Sequence, residues 1–246
     1  MGEDEAVLSR SADPPDRVAA YGTAPDQTIE IRDGRDGAAQ RPLVILIHGG
    51  FWRPDIDRVH ARPMAEAIAA AGWTVALPEY ARVPHHPEPT LADLTAILSQ
   101  SPQRIAHHDG RVILIGHSAG GHLALWATAA RVCRALAGTL ALAPVADLLL
   151  AHELGLGNGA VARFLGREPV GRPDLDPRQM AAPVTPTILV HGEADVIVPP
   201  VISESYVAAH RGAALLRIAA AGHFALIDPQ AKAWATVMSG LGRLTR

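Results

Sequence analysis

Three short stretches carry residue types able to cleave an acyl bond. The first is Gly116-His117-Ser118-Ala119-Gly120, a serine with a glycine two residues to either side. A serine hydroxyl is a weak nucleophile at neutral pH and needs an adjacent base, itself oriented by an acid. Downstream, His191-Gly192-Glu193-Ala194-Asp195 offers the acid and Ala221-Gly222-His223-Phe224 the base. The chain order Ser, Asp, His is that of a serine presented on a strand–turn–helix elbow. Asp195 is favoured as the acid because Val196, Ile197 and Val198 would shield a carboxylate; Glu193 and Asp147 are its rivals. His223 is favoured as the base because it sits in a glycine-preceded loop late in the chain. His191 stands at a strand end beside the acid loop, and His210 falls in a helical stretch.

The same chemistry needs N–H donors aimed at a developing oxyanion, each worth about 10²- to 10³-fold in rate. Ala119, next after the serine at a helix start, offers one. His48-Gly49-Gly50-Phe51-Trp52 offers the rest, assigned to Gly50 and Phe51, where glycine lets backbone approach closely. Phe51, Trp52, Tyr80 and Phe164 are candidates to line a substrate pocket, and Arg53, Arg82 and Arg163 to meet a substrate carboxylate. His117 and His122 are expected to pack around the elbow. No metal is expected, since His85, His86, His107 and His108 fall in no H-E-x-x-H pattern and have no cysteine at ligand spacing. Without a Walker or G-x-G-x-x-G loop, no nucleotide cofactor is expected either.

These stretches need elements to hold them. Residues 112–115 form a short β-branched run that breaks at Gly116, and an Ala/Leu-rich helical pattern follows over 119–131. Residues 43–47, LVILI, read as a strand covered on both faces. Further strands are expected at 28–32, 73–77, 139–143, 187–190 and 215–219, and helices at 61–71, 91–98, 202–210 and 230–241. The 28–32 strand and the DGRDG turn at 33–37 suggest an edge hairpin completed by the strand that follows. Strands alternating with helices imply right-handed crossovers and a mostly parallel sheet. The 144–186 segment is too long for a simple crossover and carries two helical stretches, near 147–156 and 160–165; it is a candidate lid at the carboxyl edge of the sheet.

Bulk properties bound the remaining possibilities. A chain of 246 residues suits one α/β domain, here 18–246, preceded by a loosely held, flexible arm at 1–17. Charged residues are 19% of the chain and the formal charge is −3, with no basic run, which argues against a nucleic-acid partner. The longest apolar tract, 135–151, contains Gly138, Pro144 and Asp147, so no membrane span is expected. The start carries no positively charged, apolar leader, and the single cysteine, Cys133, makes no internal disulfide; both fit a cytoplasmic location. The oligomeric state is open, a homodimer being one option.

With HGGFW, GHSAGG, HGEADVIVP and AGHF in this order, the chain resembles the α/β-hydrolase superfamily over nearly its whole length after the arm. YGTAPDQTIEI before HGGFW, and PEYARVPHHPEPTLADL after the next strand, look like the kynurenine formamidase (arylformamidase) and carboxylesterase branch. The resemblance implies an eight-stranded, mainly parallel sheet, a Ser-His-Asp triad, no metal and a small ester or arylformamide substrate cleaved through an acyl-serine. The competing expectation is a catalytically silent protein of the same fold that binds a ligand or partner.

Overall fold

The computed structural model describes residues 3–35 and 37–245; Met1 and Gly2 of the expected arm, Asp36 of the expected turn, and Arg246 lie outside them. In chain order the strands are β1 (Arg17–Ala20), β2 (Thr28–Arg32), β3 (Leu43–Ile47), β4 (Val75–Pro78), β5 (Val112–His117), β6 (Leu136–Leu142), β7 (Thr187–Gly192) and β8 (Ala214–Ile218). The α-helices are α1 (Arg62–Ala70), α2 (Glu88–Arg104), α3 (Ala119–Ala129), α4 (Leu148–Glu153), α5 (Leu156–Leu165), α6 (Val201–Ala209) and α7 (Trp234–Leu244).

All eight strands join one sheet in the order β1-β2-β4-β3-β5-β6-β7-β8, and β2 alone runs against the others. The mainly parallel sheet expected from strand–helix alternation is therefore present. The expected edge hairpin is not: β2 pairs with β1 and β4, while β3 lies between β4 and β5. The reason is burial. Every residue of β3 is buried, so it belongs at the sheet centre, whereas all four residues of β1 are exposed and their pattern carries no apolar alternation to read.

Side chains alternate across the sheet and feed two cores. Leu43, Ile45 and Ile47 pack in one with α2, α3 and α6; Val44 and Leu46 pack in the other with α1 and α7. The 144–186 segment folds as α4, α5 and a short 3-10 turn at Pro169–Gly171, with Phe164 and Leu165 buried in the first core. The N-terminal segment, expected as a loose arm, is seated on the body. A 3-10 turn at Ala6–Ser9 buries Val7, and Arg10 pairs with Asp228 at 2.9 Å. These contacts, each too short a signal to stand out from periodicity, help to hold it.

Register sets the working edge. Ile47 pairs with Gly116, His117 with Leu142, and Gly192 with Ile218, so the segments after β3, β5, β7 and β8 emerge at the same carboxyl edge. The tightest junction there is Gly120, where a Cβ would sit 2.1 Å from the Ile47 carbonyl oxygen. Backbone cannot yield as a flexible side chain would. Gly120→Ala is therefore expected to destabilise the protein by at least about 3 kcal/mol in urea unfolding, through overpacking. Gly242→Ala, in α7 with nothing within 4 Å of its would-be Cβ, is expected to stabilise by about 0.5–1 kcal/mol through helix propensity.

Candidate active site

Ser118 occupies the turn between β5 and α3 with φ 56° and ψ −119°, a left-handed conformation that costs a non-glycine residue energy. Neighbouring strands and loops hold it there. Its N–H donates to the Leu142 carbonyl (2.9 Å), and its carbonyl accepts from His122 (3.0 Å) and Val145 (3.2 Å). The flanking glycines are required by space: a Cβ at Gly116 would lie 2.2 Å from the Gly120 carbonyl oxygen.

His223 follows β8 and is buried. Its Nδ1 is 2.7 Å from Asp195 Oδ2, which leaves Nε2 as the ring nitrogen available to a substrate or to the serine. Ser118 and His223 line one cavity of about 290 Å³; among the described residues no hydrogen bond joins the serine hydroxyl to the ring. Such contacts are often long before substrate binds.

Asp195 is held from three directions. Oδ1 accepts the N–H groups of Ile197 (2.9 Å) and Val198 (2.8 Å), Oδ2 meets His223, and His191 Nε2 lies 3.4 Å away on the same oxygen. Burial alone would raise this carboxyl; the hydrogen bonds from His191 and His223, the His223 charge and the Val198 N–H outweigh it and hold it well below the usual carboxylate range. The expected shielding by 196–198 is only partly apolar, since Val196 is 65% exposed and the backbone does much of the holding.

The rivals fall elsewhere. Glu193 is exposed. Asp147 caps α4, accepting the Leu150 N–H, and pairs with Arg178. His191 is buried behind the acid, bonded to Ser203 and the Val198 carbonyl, and His210 is bonded to the Pro177 carbonyl.

The segment after β3 packs directly on the elbow: a Cβ at Gly49 would lie 3.0 Å from the His117 carbonyl oxygen. Gly50 takes φ 115°, and Phe51 and Trp52 follow at 49° and 55°. Among the described residues the N–H groups of Gly50, Phe51 and Ala119 have no protein acceptor. Gly50 and Phe51 line the cavity beside Ser118.

Of the four aromatic candidates, only Phe51 reaches that cavity. Trp52 and Phe164 stack on each other in the core (centroids 4.6 Å apart, 13° between planes), with His122 edge-on to Trp52. Tyr80 is buried beneath the oxyanion segment, stacked on His48 at 4.5 Å with its hydroxyl donating to the His48 carbonyl (2.8 Å). Their nearness in sequence to HGGFW reflects support, because a side chain's direction depends on packing that no local pattern records. Arg53, Arg82 and Arg163 are also absent from the lining, held by Asp55, Glu79 and the Asn158 carbonyl.

The lining includes Leu8, Ile56, His60, Ile197 and Phe224, none of them singled out as substrate contacts beforehand. Phe224 directly follows His223 and Ile197 lies two residues after Asp195, a signal available in the sequence; Leu8 and His60 offered none. Burial first, and then the charge of His48, pushes the His60 imidazole down to about 4, so it is neutral at pH 7. Burial likewise keeps His117 well below its usual value, with His223 and His60 adding to the effect.

A further residue that sequence reasoning missed, behind the cavity rather than in its lining, is Glu79. Its carboxylate is hydrogen-bonded to His48 Nε2 (3.0 Å), receives the Arg58 N–H (3.1 Å) and pairs with Arg82, so it fixes the histidine that opens the oxyanion segment.

A family model for the alpha/beta hydrolase fold matches residues 44–169, just over half of the chain, and the chain belongs to that family. Among curated proteins it is similar to esterase LipC of Mycobacterium tuberculosis, 24% identical over 253 residues, covering 86% of this chain. The match spans only 60% of that relative's length. Among solved structures, esterase B of Lactobacillus rhamnosis, in a structure with a tributyrin phosphonate, shares the fold at TM-score 0.78 and 20% identity, covering 98% of this chain and 89% of that one. An esterase of Thermogutta terrifontis does so at TM-score 0.74 and 20% identity, with 96% and 95% covered. That esterase has also been solved with propionate and with butyrate bound.

Burial raises the Glu79 carboxyl, but the hydrogen bond and charge of His48, followed by those of Arg82, dominate and bring it down to about 2. Its unfolded value is about 4.3. A depressed folded value contributes stability that is present above the unfolded value and lost as pH falls toward the folded one. Glu79→Gln is expected to be less stable than the parent at pH 7 in urea unfolding, with the gap closing between pH 4.5 and 2.

Proposed function

We propose that the protein is a serine hydrolase of carboxylic esters with small apolar arms, working through an acyl-serine. The observation that carries this reading is the 2.7 Å pairing of His223 with a buried Asp195 on the wall of the cavity that also holds the strained Ser118. Ser118 Oγ attacks the ester carbonyl while His223 Nε2 takes its proton. The oxyanion is met by the N–H groups of Ala119, Gly50 and Phe51. The imidazolium, stabilised by Asp195, returns the proton to the departing alkoxide, which leaves as the alcohol. Water, deprotonated in turn by His223, then releases the acid and restores the serine.

Residues 144–186 act as the cover of this site in the same reading. Gly157 approaches Phe51 so closely that a Cβ would lie 2.8 Å from the ring, and Phe164 stacks on Trp52, so the insertion braces the oxyanion segment from outside. Short acyl groups are supported by the compact cavity and by the propionate and butyrate bound to the Thermogutta esterase.

The arylformamide reading draws its support from the sequence resemblance. It would need a cation for the carboxylate of a formylated amino acid, and no arginine lines the cavity among the described residues. The ester is therefore the favoured substrate class. On this reading kcat/KM for short p-nitrophenyl esters exceeds that for N-formylkynurenine, and the reverse order would move the protein to the formamidase branch. A fluorophosphonate probe should label the folded protein and leave Ser118→Ala unlabelled; equal labelling of the two would favour the silent binding protein. Asp195→Asn should retain the fold and lose about 10⁴-fold in kcat, because the amide no longer holds the correct His223 tautomer.

A further inference from the structure

We propose that the N-terminal segment, residues 3–10, is the outer wall of the catalytic cavity. Leu8 sets the length of apolar substrate arm accepted, and Glu3 is the positioning residue that ties this wall to the loops carrying Asp195 and His223. The proposal rests on the ester-hydrolase reading and adds to it a specificity determinant and its anchor.

Four contacts build the strap. Leu8 lines the cavity together with Ile56, Ile197 and Phe224. Val7, its neighbour, is 1% exposed in the core shared with α1 and α7, which prevents the 3-10 turn from sliding. Arg10 closes the segment with its ion pair to Asp228. Glu3 spans the two loops: Oε2 accepts the His223 N–H at 2.7 Å and Oε1 accepts the Val196 N–H at 3.1 Å.

The Glu3 contacts account for a residue otherwise unexplained. A Cβ at Gly222 would lie 2.2 Å from Glu3 Oε2, so the glycine before the base makes room for the carboxylate. Hydrogen bonds to an ionised acceptor are about twice as strong as neutral ones. One carboxylate bonded to the residue after Asp195 and to His223 itself sets the separation of the two loops, and hence the Asp195–His223 contact. A substrate arm that reaches the apolar part of the lining meets Leu8 there beside Ile197 and Phe224, so the size of that one side chain limits its length.

The test uses full-length variants and two ester series: p-nitrophenyl acetate, butyrate and octanoate, which vary the acyl arm, and ethyl, butyl and octyl acetate, which vary the alcohol arm. Leu8→Ala is expected to raise the long-to-short kcat/KM ratio about tenfold in one series, and Leu8→Trp to lower it by a similar factor, the scale of gaining or losing a few methylene contacts. Glu3→Ala is expected to lower kcat about tenfold with little change in KM, the scale of a small misplacement at a reacting centre, and Glu3→Gln, which keeps one acceptor, to recover part of it. A role confined to stability would lower the melting temperature and leave the ratios and the kcat-to-KM split unmoved. Unchanged ratios in both series from both Leu8 variants, or a Glu3→Ala kcat equal to the parent's, overturns the proposal while the ester reading stands. No turnover of any ester by the parent, with Ser118 unlabelled by fluorophosphonate, overturns the ester reading and this proposal with it.

Discussion

The site depends on how closely two pieces of backbone approach at the end of the sheet. Gly120 lets the first turn of α3 lie against the Ile47 and His48 carbonyls, and Gly116 lets β5 turn under it. That contact forces the chain between them through a left-handed residue. A serine at φ 56° carries strain of about 1–3 kcal/mol, which persists only because the surroundings over-determine it. Three backbone hydrogen bonds do so, one donated by Ser118 to the Leu142 carbonyl and two accepted by Ser118 from the His122 and Val145 N–H groups. Because β3 ends against the same turn, the position of the Gly50 and Phe51 N–H groups follows from it. The proposed nucleophile and the proposed oxyanion donors are thus set by one packing event.

The charge pattern around the cavity is equally constrained. Six of the protein's histidines, at 48, 60, 117, 122, 191 and 223, lie within the site or directly behind it, yet only His223 both meets a carboxylate and lines the cavity. His60 and His117 line it without one, and burial keeps them neutral. His48 and His191 do meet carboxylates, Glu79 and Asp195, from beneath the oxyanion segment and from behind the acid. The proposed proton acceptor is thus singled out by where the two buried carboxylates sit.

Much of this arrangement was legible in the sequence. Ser118, Asp195, His223 and the HGGF stretch announce themselves because their demands are local: glycines where backbone must pass, strands that stop at the right place, and a fixed chain order. The alternation of strands and helices disclosed the sheet for the same reason. What could not be read depends on contacts distant in sequence or on side-chain direction. Trp52, Tyr80 and Phe164 point into the cores. Glu79 meets His48 across 31 residues. The exposed β1 has no apolar periodicity, and the place of β3 at the sheet centre follows from pairing that only the complete sheet defines.

The Glu3–His223 hydrogen bond links residues 220 positions apart. During synthesis the strap leaves the ribosome well before its partners at 196 and 223. The Glu3 contacts therefore form only once the segments after β7 and β8 are present. One proposed cavity thus takes its lining from residues before β1 and from residues after β7 and β8, so its shape depends on segments far apart in sequence having met.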